Sequence, residues 1–293
     1  MSETTGFIPY EEFAPLYREV MNETRVQKLF SDELYDGFTG DDTTLRLYKI
    51  SEKLVENAKK FNLTSILEPH EIVRKHLVDS LLPLGIMAEH GLIPSSGNVS
   101  MADVGCGAGF PSLPIAAASQ DNFPLYVMGI DSTAKKITHI KETAEYANLT
   151  NIDGMAARAE ELTMIKQESA AKKGGKGSAK GKNAPQKEEK TPYFRERFDI
   201  TTARAVASLV TLLELCSPMT KVGGHFVALK SHADEEIAEA GEAPKKLGLT
   251  LTDRIDYELP GGDKRVVLIY EKVSATPKNY PRRYAEITKQ PLK

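Results

Sequence analysis

The chain has 293 residues, with 38 Lys and Arg against 41 Asp and Glu and a formal charge of −3. That balance argues against a protein that coats nucleic acid through bulk positive charge, although a local basic face remains open. With 41% hydrophobic and 27% charged residues, the composition is that of a soluble globular chain. Its length fits two domains or one large α/β domain with extensions.

Two cysteines, Cys106 and Cys216, are too few for a disulfide framework or a cysteine-based zinc site. His70, His90, His139, His225 and His232 show no metal-ligand spacing, so no metal is expected. The first residues lack the basic and apolar regions of a secretory signal, and no apolar run approaches the ~18 residues of a membrane span. These features predict a cytoplasmic protein with no membrane partner and no obligate protein partner.

In chain order, residues 1–44 form an acidic N-terminal region with ten acidic and three basic residues. Residues 45–92 read as a helical subdomain. Leu47, Ile50, Leu54, Ala58 and Phe61 recur at helical spacing and predict a helix ending near Asn62. A second helix is predicted after Pro69, with Ile72, Val73, His76, Leu77 and Leu81 inward and Glu71, Arg74 and Lys75 outward; Pro83 and the Gly91/Pro94 pair should stop it.

From Val99 the period changes. Short apolar runs, VSMADV (99–104), PLYVMGI (124–130), FDITTA (198–203), GHFVALK (224–230) and RVVLIYE (265–271), alternate with helical patterns. They predict βαβ units and a mostly parallel, doubly wound sheet over residues 93–275. Within it, residues 166–190 carry eight Lys and three Glu with no apolar periodicity, which predicts a disordered insertion. Residues 276–293 form a basic C-terminal tail.

The sharpest local feature is ADVGCGAGFPSLPIA, beginning at Ala102. A strand should end at Asp103 and Val104, a turn should follow through Gly105, Gly107 and Gly109, and a helix should begin near Ser112. Such glycines let backbone approach a ligand and adopt positive φ, while the helix start offers free N–H groups. A dinucleotide fingerprint would need a third glycine where Phe110 stands. The pattern Asp-x-Gly-x-Gly-x-Gly instead favours an adenosyl cofactor, S-adenosylmethionine, with Asp103 beside its amino group. Asp131, ending the next strand, is placed to bridge ribose hydroxyls. A dinucleotide site and a ligand-free turn remain the alternatives at this point.

With these residues in place, the sequence resembles the bacterial methyltransferase G family of small-subunit rRNA, also called the glucose-inhibited division protein B family. The matching pieces are FNLTSI (61–66), VRKHLVDSL (73–81), DVGCGAGFPSLPIA (103–116), DSTAKKITHIKE (131–142), ARAEEL (157–162), FDITTARAVASL (198–209), GGHFVALK (223–230) and TPKNYPRRY (276–284). They occur in the family's order. Three departures stand out: Ser112 replaces a usual glycine, the 166–190 segment is longer than usual, and the first 44 residues match poorly.

The resemblance implies a class I S-adenosylmethionine-dependent methyltransferase fold, Rossmann-like, with a seven-stranded mostly parallel sheet whose last strand is antiparallel, behind a helical N-terminal extension. It implies that Gly105, Phe110, Ala159, Glu160 and Arg204 contact the cofactor, and that the reaction is methylation of guanine N7 in 16S rRNA. The substrate would be 16S rRNA or a 30S subunit or assembly intermediate. The residues agree with a ring-nitrogen target. TTARAVASL, after the fourth strand, lacks the Asn/Asp-Pro-Pro-aromatic motif of amino methyltransferases, and neither cysteine suits a C5 nucleophile.

Arg204 sits past a strand end, where α/β ligand sites form. Lys230, at the end of another strand, is a candidate contact to guanine or phosphate; His76 and Asp79, three apart on one helix face and marked by the resemblance, are candidate positioning groups. Lys135, Lys136, Arg282 and Arg283 are candidate RNA contacts. The alternatives are an rRNA-binding assembly factor with a vestigial pocket, or a small-molecule methyltransferase on the same fold.

Overall fold

The structure, a computed structural model, describes residues 6–165 and 193–292. The Lys/Gly-rich segment 166–190 lies outside the described residues. The chain opens with α1 (Tyr10–Glu23), a 3₁₀ turn (Thr24–Gln27), α2 (Asp32–Thr39) and α3 (Asp41–Phe61). Phe13, Tyr17, Val20, Met21 and Phe38 are buried at helical spacing, so the acidic first 44 residues carry an apolar face of their own. The boundary expected at 44/45 falls inside α3. That helix ends where predicted, with Asn62 in the left-handed region at φ 52° and its N–H on the Ala58 carbonyl.

The second predicted helix begins at Pro69, where a missing N–H is no loss, and the Glu68 carboxylate accepts from the N–H groups of His70 and Glu71. It runs as α4 (Pro69–Ile72), a π-helical stretch (Val73–Val78) and α5 (Asp79–Glu89). Pro83 does not stop it. The proline sits inside a wholly buried stretch from Asp79 to Met87, whose packing outweighs the one lost backbone hydrogen bond. The π turn widens the helix where His76 lies, a common device at functional sites.

The sheet follows. Its elements are β1 (Val99–Val104), α6 (Ser112–Ser119), β2 (Leu125–Asp131), α7 (Ala134–Tyr146), β3 (Ile152–Ala156), α8 (Ala159–Thr163), β4 (Phe198–Arg204), α9 (Leu209–Cys216), β5 (Thr220–Lys230), α10 (Asp234–Ala240), α11 (Ala243–Lys246), β6 (Leu249–Glu258), β7 (Lys264–Lys272) and α12 (Tyr284–Lys289). The strand order is β3-β2-β1-β4-β5-β7-β6. β1 to β5 are parallel, and β7 runs antiparallel to both β5 and β6. This is the expected seven-stranded architecture. Strands β3 and β6 were not among the predicted runs.

Alternation along each strand divides the interior into two cores. Met101, Val227, Val267 and Ile269 pack with α1 to α7 on one face, whereas Ala102, Phe226, Ala228 and Leu268 pack with α9 and Ile287 of α12 on the other. The order reverses at β1, whose two neighbours continue the chain on opposite sides, so the loops after β1 and β4 diverge and open a crevice at the carboxyl edge.

The helical layer is fastened to the far side of that crevice. Arg74 Nη1 donates to the Pro260 carbonyl at 3.0 Å and to Asp263 Oδ2 at 2.6 Å, both in the β6–β7 turn. Gln27 pairs with the Glu258 backbone through both its amide groups. No helix among the described residues is long and apolar enough to cross a membrane.

At the opposite, amino edge of the sheet, the tail is fixed by charge. Arg195 donates to the carbonyls of Thr276, Pro277 and Tyr280. Lys272 is fully buried, its Nζ donating to the Ser217 carbonyl at 2.8 Å and Thr276 Oγ1 at 2.6 Å. Burial, the largest influence, brings its pKa down to about 8 despite Glu196. Glu214, also fully buried, accepts from Arg282 Nε at 2.9 Å and Nη2 at 2.6 Å. Removing one partner of such a pair strands the other charge. Arg282→Ala is therefore expected to lower stability by about 3 kcal/mol in urea unfolding; an unchanged midpoint would show that the tail is not held this way.

Candidate active site

The turn after β1 is built from its glycines. Gly105, Gly107 and Gly109 have φ of 76°, 56° and 88°. A Cβ on Gly105 would stand 2.5 Å from Val206 Cγ2, in the loop after β4, and one on Gly109 would overlap the Leu113 side chain. The turn is thus wedged between its own helix and the β4 loop. Gly105 and Cys106 both donate to the Ile130 carbonyl, and the Gly107 N–H donates to Asp131 Oδ2 at 3.1 Å. Cys106 points into the core, where burial raises its pKa.

Two acids flank this turn. Asp131, at the end of β2, also accepts the Thr133 N–H at 2.8 Å, and Lys136 Nζ lies 3.6 Å from it. Asp103, at the end of β1, is completely buried. Ser112 Oγ donates to its Oδ2 at 2.5 Å, so the first residue of α6 grips the acid. Its Oδ1 has no partner among the described residues. Burial pushes the Asp103 pKa up to about 6, partly offset by Ser112 and the charge of Arg204.

Ala159 and Glu160 open α8 beyond β3 and are buried, and the neighbouring Ala157 N–H is tied to the Asp131 carbonyl. Arg204 ends β4. These pieces lie together at the crevice: the two acids, the glycines, Phe110, the start of α8 and Arg204.

Next to them is a cleft of about 480 Å³ lined by His76, Asp79, Arg204, Lys230, Tyr257 and Arg265, among others. Asp79 is buried and shared: Arg204 Nη1 lies 3.3 Å from Oδ2, and Arg265 Nε donates to Oδ1 at 2.9 Å. Burial raises the Asp79 pKa against the pull of both guanidiniums. His76 stacks on Phe110, ring centroids 4.5 Å apart. Thr64 Oγ1 accepts from the Ile66 N–H and lies 3.2 Å from His76 Nε2. Burial, then Arg204 and Lys75, lowers the His76 pKa to about 3, so the ring is neutral at physiological pH. Lys230 donates to the Ala207 carbonyl at 2.8 Å and pairs with Glu236 at 2.7 Å.

An adenosyl cofactor presents an ammonium, a diol and an adenine. The partnerless Asp103 Oδ1 matches an ammonium donor, and the turn stands open at Gly107, where a Cβ would meet nothing nearer than 3.9 Å. The residues present fit S-adenosylmethionine.

Comparison with known proteins agrees. The sequence matches the model of the rRNA small subunit methyltransferase G family over residues 44–172 and 186–254. The chain belongs to the rRNA small subunit methyltransferase G family. It is 38% identical over 242 residues to the ribosomal RNA small subunit methyltransferase G of Limosilactobacillus reuteri, covering 82% of this chain and 87% of that protein. It is 34% identical over 278 residues to the same-named protein of Acetivibrio thermocellus, covering 92% and 98%. Among solved structures, M. jannaschii TYW2 in complex with AdoMet is similar at a TM-score of 0.42 and 15% identity, covering 63% of this chain and 74% of that one.

The basic residues singled out for RNA in this methyltransferase G chain do not assemble. Lys135 is exposed on α7 and Lys136 leans on Asp131. Arg282 is committed to Glu214 at the amino edge, and Arg283 lies exposed beside it at the start of α12, so both are at the end of the sheet away from the cleft. The structure instead brings Arg265, Tyr257, Ser80 and Ser112 to the site, none of which the sequence pattern had marked as functional.

An ammonium is held far more strongly by the ionised Asp103 carboxylate than by the neutral acid. Cofactor affinity should therefore fall as pH drops below about 6, roughly tenfold per pH unit while the free carboxyl is protonated. Asp103→Asn should bind weakly at all pH values and remove this dependence, and Ser112→Gly should move its midpoint upward. Calorimetric titration from pH 5 to 8 measures all three.

Proposed function

We propose that the protein is an S-adenosylmethionine-dependent methyltransferase that modifies N7 of a guanine in 16S rRNA, in the cytoplasm. The observation that carries the reading is the buried, partnerless Oδ1 of Asp103 under the glycine turn, beside an arginine-lined cleft, in a chain of this family. The family relatives are named as small-subunit rRNA methyltransferases, which supports rRNA as the substrate. Whether the chain meets it as free RNA or as a 30S particle is decided by the first experiment below.

In this reading Asp103 holds the cofactor's ammonium and Asp131 its ribose. Gly105, Gly107 and Gly109 would give close backbone approach, and Phe110, Ala159 and Glu160 would hold the rest of the cofactor. When bound, S-adenosylmethionine supplies a methyl group activated by its sulfonium. Guanine N7 already has a lone pair and no proton, so the chain has no base to provide.

The cleft agrees with that requirement. His76, with a pKa near 3, is a poor base, Asp79 is engaged by two arginines, and Lys230 is paired with Glu236. His76 shapes the pocket through its stack on Phe110 and its contact with Thr64, and Asp79 orients Arg204. Lys230 holds the α10 side of the wall through Ala207 and Glu236. Catalysis then comes from alignment and from exclusion of water around the displaced charge. The fully retained acids and glycines give no support to a vestigial pocket.

Incubation with methyl-labelled cofactor and either 16S rRNA or 30S subunits is expected to label the rRNA. Borohydride reduction followed by aniline should then cut the chain at one guanine. Label confined to adenine, to protein or to small molecules would overturn the reading.

A further inference from the structure

The charges around the cleft do not balance. Its lining cations are Lys75, Arg204, Lys230 and Arg265. Lys230 has Glu236, and Lys75 has Glu71 at 2.5 Å. Glu71 also serves Arg74, but Arg74 has Asp263 as a second acid, so that group of four is neutral. Arg204 and Arg265 have only Asp79 between them among the described residues. Arg204 also acts on Asp103, so the under-paired cation is Arg265, whose side chain is only 19% exposed. Holding such a charge away from water without an acid is costly, and an arriving anion would remove that cost.

Position distinguishes the two arginines. Arg204 ends β4 beside the glycine turn, and its charge is felt by Asp103. Arg265 begins β7 and lines both the inner cleft and a larger outer groove of about 770 Å³. Only Ser231, His232, Tyr257 and Arg265 are common to the two cavities. Arg265 Nε is used by Asp79 and its Nη1 by the Lys264 carbonyl, while Nη2 has no partner among the described residues. A strand reaching the inner cleft from the outer groove would pass this shared wall.

Resting on the reading of the chain as an rRNA methyltransferase, we propose that Arg265 binds the phosphodiester adjoining the target guanosine, with Asp79 holding its guanidinium at the mouth of the cleft. The fork geometry suits phosphate, and Asp79 fixes the Nε edge so that little ordering remains to be done on binding.

The test uses the full chain, wild type and the variants Arg265→Gln and Arg265→Lys, with rRNA affinity measured across a salt series. Arg265→Gln is expected to weaken rRNA binding about tenfold at low salt. It should also make the slope of log affinity against log salt shallower by about 1. Cofactor affinity should stay at the wild-type value, and the melting temperature should fall only modestly, because Asp79 keeps Arg204. Arg265→Lys should restore the slope but only part of the affinity, because a point charge replaces the fork. Unchanged rRNA affinity and slope in Arg265→Gln would overturn the proposal. So would an affinity loss that is independent of salt and accompanied by equal losses of cofactor binding and melting temperature. Failure of the wild type to methylate rRNA would instead take down the underlying reading, so the two failures are distinguishable.

Discussion

At the end of β1 the chain passes through a gap that admits no side chain, bounded by Val206 on one side and Leu113 on the other. The rest of the carboxyl edge depends on that tight passage. It keeps Gly107 within reach of Asp131, ties Gly105 and Cys106 to the Ile130 carbonyl, and starts α6 so that Ser112 meets Asp103. Because the strand order reverses at β1, the passage also forms the floor of the crevice. A single methyl at Gly105 would have to push out either the turn or the β4 loop, and with the latter the stretch leading from Arg204. The cofactor side and the cleft side of the site are coupled through this contact.

Burial of charge is used twice, with opposite results. At the amino edge, Glu214 with Arg282, and Lys272 with its carbonyls and Glu196, are fully furnished with partners, and they fasten the tail. At the carboxyl edge the furnishing is incomplete. Asp103 keeps a partnerless oxygen, and two guanidiniums share one carboxylate. The raised pKa of Asp103 registers what that incompleteness costs its charged form. Folded proteins are only marginally stable, and such deficits are tolerated where a ligand can make them good. Buried ions thus serve two ends in this fold: complete pairing fastens the tail, and incomplete pairing leaves Asp103 and Arg265 able to take a ligand.

Legibility followed locality. β1, β2, β4, β5 and β7 were readable because these inner strands are largely buried and carry short, mostly apolar runs between turn residues. β6 was not, since as an edge strand it is mostly exposed and its sequence, LTLTDRIDYE, is polar; β3 is five residues with a glycine at its centre. The helices of residues 1–44 were hidden by net charge, although Phe13, Tyr17, Val20 and Met21 carry the period. The cofactor-side candidates lie in contiguous motifs, and the fold places those motifs side by side. Arg265 did not announce itself, because only the antiparallel pairing of β7 with β5 and β6 brings the first turn of a late strand to the carboxyl edge. The same topology sends Arg282 and Arg283 to the wrong end.

The charge sum of −3 now has a different meaning. Screening confines each exposed charge to about 8 Å at physiological salt, so an acidic total says little about one mouth of one cleft. What matters there is how far a cation is withdrawn from water. An exposed lysine such as Lys135 gains little from a phosphate, about 0–1 kcal/mol on the scale of surface ion pairs. A guanidinium that is mostly buried and already oriented forms charge-assisted hydrogen bonds worth about 1.5–3 kcal/mol each. One arginine held as Arg265 is held can outweigh several lysines scattered over α7 or the tail. A protein with no basic excess can therefore recognise an RNA backbone, provided the fold, rather than the composition, leaves a single charge unmatched beside the site.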